Sequence, residues 1–245
     1  MKTKMGFFLG ILVLMVSLVF LLVGSAYSEK MNKPSSAAMK MHHLHMILNH
    51  GSAMALQGAN LVMIAKMEMT PAVDATTLHH GQQMIKMGKE VIQHALSGPE
   101  MTALMKTHGD APLMKYTHKL GKALLKVIDH IGKRRMEGMK SPDTMTMHHM
   151  HIMVTHALEM AVGGSNMIML GKMSMAGTVD DFSIKRGGMM IANGRGLVAK
   201  IMEGKTMKGM HARGVKPDSN RMMDHTMKLN EAAMKVIDLL SEMPK

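Results

Sequence analysis

The chain of 245 residues has no cysteine and no tryptophan, and only 2 tyrosines and 4 phenylalanines. Without cysteine there is no disulfide, no thiolate metal ligand and no lipid-bearing cleavage site of the bacterial lipoprotein kind. Phe7, Phe8 and Phe20 fall in the first 26 residues, which leaves Tyr27, Tyr116 and Phe182 as the later aromatics. So few rings remove the stacking platforms that single-stranded nucleic acid or sugar binding relies on, and no nucleic-acid partner is expected. Acidic residues are scarce too, 18 against 30 lysines and arginines, for a formal charge of +12. That balance argues against a carboxylate site for calcium or magnesium. The positive charge is spread along the chain, with no run longer than Lys133-Arg134-Arg135. It reads as solvated helical faces with a general attraction to anionic surfaces, an anionic membrane among them.

Catalytic signatures are missing as well. There is no G-x-S-x-G elbow, no H-E-x-x-H helix and no glycine-rich phosphate loop of recognised form. Carboxylates are absent from the main histidine cluster of the first half and limited to Glu159 in the second, which weakens a di-iron or hydrolytic reading. The chain is therefore not expected to be an enzyme.

What is abundant is methionine, 37 residues, and histidine, 16. Methionine is a flexible apolar filler and must supply much of the core bulk. The N-terminus carries Lys2 and Lys4, then an apolar run from Gly6 to Val23, then Gly24-Ser25-Ala26. These zones predict a signal peptide over residues 1–26 and a periplasmic, extracytoplasmic or secreted protein. The run is also long enough to span a bilayer, so an uncleaved membrane anchor is the alternative. No later segment is apolar for long enough to cross a membrane.

The chain repeats itself. Aligning Met41 with Met147 gives an ungapped match at an offset of 106 residues up to Met101 and Met207. Identities include Asn60 with Asn166, Met63 with Met169, Lys66 with Lys172, Asp74 with Asp180 and Gly81 with Gly187. Past a short deletion and a later insertion, Lys126-Val127-Ile128-Asp129 meets Lys235-Val236-Ile237-Asp238. The expectation is an all-α protein of two tandem helical repeats, 36–138 and 144–243, each with three long helices and one short one. They form either two small bundles or one bundle with a pseudo-twofold relation.

In the first copy the pattern predicts a helix from Ser36 to Met69, ended by Thr70-Pro71, and a second helix capped within Asp74 to Thr77 and running to Leu96. Gly98-Pro99 stops the second helix. A short helix over 100–107 and a last one from Leu113 to Met136 follow, and Ser141-Pro142-Asp143 reads as a linker between copies. Gly81, Gly88, Gly187 and Gly194 inside the second helices cost helix propensity, which close helix crossings would explain.

Each copy opens with Met-His-His-x-His-x4-His-x3-Met. The candidate metal ligands are Met41, His42, His43, His45, His50 and Met54, matched by Met147, His148, His149, His151, His156 and Met160. On a helical wheel, His43, His50 and Met54 share a stripe with Ile47 and Leu61, and His149, Met153, His156 and Met160 share the corresponding one. That stripe is expected to be the core seam, with these side chains turned inward. His79, His80 and His94 face Lys185, Arg186 and Lys200 in the other copy, which sets the doubled clusters apart from scattered histidines.

Imidazoles a turn or two apart beside thioethers make a ligand set for a soft ion, Cu(I) or its mimic Ag(I), whereas zinc more often comes with cysteine or carboxylate. The expected function is copper binding for buffering, storage or transfer, with a metal-handling protein as partner. Two alternatives stand beside it. One is a b-type haem held non-covalently by His and Met, since no C-x-x-C-H is present. The other is a metal-free basic helical protein that binds an anionic surface or partner, or whose methionines act as an oxidant sink. The cysteine-free, His- and Met-rich exported character is similar in kind to bacterial periplasmic copper and silver resistance proteins. That resemblance lies in composition and carries over no residue roles.

Overall fold

Proline positions set much of the chain's punctuation. In the computed structural model, which describes residues 36–132, 142–174, 177–215 and 221–244, Pro71, Pro99, Pro112 and Pro142 each open a helix. Proline suits the first helical turn, where its missing N–H is not needed and its φ is already helical. The helices are α1 (Ser36–Lys66), α2 (Pro71–Ser97), α3 (Pro99–His108), α4 (Pro112–Gly132), α5 (Pro142–Lys172), α6 (Thr178–Glu203), α7 (Lys205–Ala212) and α8 (Arg221–Ser241). Six are long, α3 and α7 are short, and the described residues contain no strand. The chain is all-α.

Three boundaries differ from those expected, the first being the end of α1, which stops at Lys66 and not at Met69, with Glu68 already in the left-handed region at φ 53°. Helix α2 begins at Pro71 and not within Asp74 to Thr77, because Asp74 acts from inside the first turn. Its carboxylate accepts from the Thr70 N–H (3.0 Å) and the Thr70 hydroxyl (2.9 Å), tying down the residue before the helix. Pro142 and Asp143 are likewise not linker but the first turn of α5. The signal peptide and the segment from Lys133 to Met136 lie outside the described residues.

The described helices form one compact unit. Helix α1 packs on α2, α4 and α5, while α5 packs on α6, α8 and α1, and α4 also meets α8. Helices α1 and α5 are therefore central. Sixteen of the 31 residues of α1 are buried, against five of 27 in α2, whose inward stripe is Asp74, Gly81, Gly88, Ile92 and Ala95. Glycine is what lets α2 approach. A Cβ on Gly58 would stand 2.5 Å from the Gly81 carbonyl oxygen, and one on Gly81 would stand 2.6 Å from that of Gly58. The cost in helix propensity is thus offset by backbone contact that no other residue allows. No helix among the described residues is long and apolar enough to cross a membrane.

Helices α1 and α5 run antiparallel. Going along α1 from His45 through Asn49 to Asn60, the partners on α5 go back from Ser165 and Asn166 to Thr155. Asn49 donates to Asn166 Oδ1 at 2.9 Å, and the Thr155 hydroxyl donates to Asn60 Oδ1. The centre of the protein is therefore a polar, hydrogen-bonded seam flanked by Leu44, Leu48, Leu56, Val154 and Leu158, all buried.

Candidate metal centre

The inward face of α1 is not the expected one. His43 and His50 are exposed and Met54 is half-buried, whereas Met41, His42 and His45 are buried. Helix α5 repeats this: His149, Met153 and His156 are exposed, Met160 is half-buried, and Met147, His148 and His151 are buried. The stripe drawn through Ile47 and Leu61 is the flank of the packed arc, since both are only half-buried. The true seam runs through Leu44, Leu48, Ala55 and Ala59. Its small residues carry little apolar signal although they mark the closest contacts. The exposed histidines have surface surroundings. His156 Nδ1 lies 3.6 Å from Glu159, and His43 borders an open groove of about 880 Å³ with Met39, His94 and Met173.

In the first half, both ring nitrogens of His45 face a partner. Asn49 donates to the Ser165 hydroxyl at 3.1 Å, so Ser165 has its own proton to give His45 Nε2 at 2.9 Å. His45 Nδ1 then carries the ring proton and faces the Thr117 hydroxyl at 3.4 Å, while Tyr116 stacks on the ring, centroids 5.5 Å apart and planes 11° from parallel. This neutral tautomer is enforced by the environment: burial, then the neighbouring His42 and Lys172, push the His45 pKa down to about 3. Burial and Lys172 lower that of His42 as well. His42 Nδ1 lies 2.9 Å from the Met169 sulfur, an imidazole and a thioether facing each other in the interior across the α1–α5 crossing.

The second half is built differently. His151 is buried on every side, and neither of its ring nitrogens has a hydrogen-bond partner. Its ring stacks on His225 of α8, centroids 5.2 Å apart and 18° from parallel, and His225 in turn stacks on His130 of α4 at 4.6 Å and 19°. Burial, followed by the fields of His225, His148 and His130, holds the His151 pKa well below its ordinary value. His130 is half-buried, donates from Nε2 to the His225 carbonyl at 3.2 Å, and lines a groove of about 730 Å³ between α4 and α8. A column of three imidazoles thus leads from that groove into the core.

His130, His225, Ser165 and Met169 were not among the candidate ligands the sequence singled out. A signal for His225 existed, since Met222 and Leu229, at helical spacing on either side of it, are both buried. Among the described residues, no three or more His, Asp or Glu side chains are already arranged as a metal-ligand group. The interior offers instead paired donors: imidazole with thioether at His42 and Met169, and imidazole with imidazole along the column. Comparison of the chain with protein-family models, with curated proteins and with solved structures finds no match.

Proposed function

We propose that the chain is an exported, non-catalytic binder of soft monovalent metal, Cu(I) with Ag(I) as its mimic, which buffers, stores or hands on the ion. The observation that carries this reading is the buried contact of His42 Nδ1 with Met169 Sδ at 2.9 Å. A thioether is a weak hydrogen-bond acceptor but a good soft ligand. The imidazole beside it is kept neutral by burial and by Lys172, which leaves it basic nitrogen for a metal in place of a proton. Neither donor is charged. Of the twelve residues expected to act, the reading rests on the inward set, Met41, His42, His45, Met147, His148 and His151; exposed His43, His50, His149 and His156 serve at most as weaker surface sites.

The proposal includes the tandem architecture, two copies joined as one pseudo-twofold bundle. Support comes from equal lengths, 31 residues for both α1 and α5 and 21 for both α4 and α8. Support comes also from the central hydrogen bonds. Asn49 matches Thr155 and Asn60 matches Asn166 in the sequence alignment, so the Asn49–Asn166 and Thr155–Asn60 contacts are equivalents under exchange of the copies.

Titrating the protein with Ag(I), and anaerobically with Cu(I), under calorimetry tests the reading. Tight, saturable binding that weakens in His42→Ala and in Met169→Leu is expected. Only weak uptake that survives both changes together with His148→Ala and His151→Ala overturns it.

A further inference from the structure

Comparison of matched positions shows where the two halves part company. His45 in the first half corresponds to His151 in the second. Ser165, which hydrogen-bonds His45, corresponds to Ala59, a buried methyl that can give His151 nothing. Tyr116, which stacks on His45, corresponds to His225, and Leu239 corresponds to His130. Three differences turn one satisfied imidazole into the inner end of an imidazole column. A buried imidazole has one N–H donor and one basic nitrogen, and at His151 neither is hydrogen-bonded, which is unfavourable in an interior. Both ring nitrogens of His151 are therefore available to a ligand.

We propose that this column is the entry path and resting place of one soft monovalent ion per chain, taken up at His130, passed to His225, and held between His225 and His151. The inference rests on the soft-metal reading above and adds to it a location, a route and an asymmetry between the copies. Spacing fits. A metal sits about 2.0 Å from a ligating imidazole nitrogen, which puts the centroids of two rings sharing one ion roughly 5–6 Å apart. The His151–His225 separation is 5.2 Å. The rings are close to parallel, so capture turns them about their Cβ–Cγ bonds until nitrogens converge on the ion.

Charge selects the ion. The column itself contains no carboxylate, and Asp224, next to His225 in the chain, pairs with Lys228 at 2.8 Å. The cost of burying an ion rises with the square of its charge, so a monovalent ion is admitted where a divalent one without carboxylates is not. Imidazole, a ligand that suits copper, then favours Cu(I) and its mimic Ag(I) within the monovalent class. Access follows from exposure: His130 lines the groove, whereas His225 and His151 are fully buried.

The experiment copies the first half into the second in the full-length chain, using Ag(I) alone as the probe. His225→Tyr and, separately, the gentler Ala59→Ser are compared with wild type for stoichiometry and affinity by calorimetry, with circular dichroism to check helicity. Loss of one Ag(I) equivalent in His225→Tyr, and at least tenfold weaker binding at one site in Ala59→Ser, are expected. His130→Leu, which installs the residue of the matched position, should retain the equivalent but load it at least tenfold more slowly by stopped flow. Wild-type stoichiometry and affinity in folded His225→Tyr and Ala59→Ser overturn the resting place while leaving the general reading standing. Unchanged loading in His130→Leu overturns the route. A wild-type protein that takes up no Ag(I) tightly overturns the soft-metal reading itself, and this inference with it.

Discussion

The imidazole of His225 lies against that of His151 with 5.2 Å between centroids, in a part of the interior with no water-facing side. Protonating either ring there would bury a charge beside another imidazole. The same holds for His45, whose pKa is pushed down to about 3, and for His42, lowered by burial and Lys172.

Acid should therefore destabilise the fold well above the carboxylate range. In the unfolded chain His42, His45 and His151 take up protons near their ordinary value of about 6.5, while in the folded chain they resist. The unfolded state binds more protons between the two values, so stability is complete above about pH 6.5 and falls steadily below it. At about pH 4.5 His45, held near 3, subtracts roughly 2–3 kcal/mol, and His42 and His151 add to the loss in the same direction. Urea midpoints from pH 7.5 to 4.5 should decline steeply, and the decline should become shallower in His45→Gln. A flat profile over that range would mean that these rings are solvated in the folded state.

The exposed half of the doubled motif should behave in the opposite way. His43, His50, His149 and His156 stand on the outer arc of their helices. Changing all four to Ala should leave the urea midpoint within about 0.5 kcal/mol of wild type, because surface changes away from caps and core rarely do more. His148→Ala, by contrast, removes a fully buried ring and should cost roughly 2–4 kcal/mol. Equal costs for the two sets would put the seam back on the stripe through Ile47 and Leu61.

How far the sequence spoke for itself follows from which signals are local. Helix starts were legible at Gly98-Pro99 and Pro112, because those constraints act within a few residues, whereas Pro71 and Pro142 were read as breaks although each opens a helix. The face of α1 was not. A wheel weights large apolar residues, and Ile47 and Leu61 drew the seam toward themselves, while close contacts are made by Gly51, Ala55 and Gly58, residues nearly silent on such a scale. His130 and His225 escaped notice for another reason. They lie apart in sequence on α4 and α8, and only the packing of those helices against each other brings their rings within 4.6 Å.

The start of α2 gives a test of local control. Asp74 holds both the backbone N–H and the hydroxyl of Thr70. Asp74→Ala should cost about 1 kcal/mol, as the loss of a cap does. Asp74→Asn, which keeps one acceptor oxygen, should recover part of it. If Asp74→Ala unfolds at the wild-type denaturant midpoint, the cap contributes nothing to stability.

Glycine placement makes the sharpest prediction, because the same substitution should have opposite signs on the two faces of this architecture. Gly58 sits where a Cβ would come 2.5 Å from the Gly81 carbonyl and 2.8 Å from the Met84 Cβ, so Gly58→Ala must push α1 and α2 apart along their length. Backbone atoms cannot swing aside as a side-chain tip can, and the expected cost is about 3 kcal/mol. Gly188 is exposed in α6, and a Cβ placed on it would have nothing within 4 Å. There the added methyl meets only solvent, and Gly188→Ala should stabilise by roughly 0.5–1 kcal/mol through helix propensity and a less disordered unfolded chain. Guanidinium midpoints at unchanged slope measure both effects. A neutral Gly58→Ala would mean that the helices do not meet backbone to backbone, and the close crossing that fixes the inward face of α1 would be lost with it.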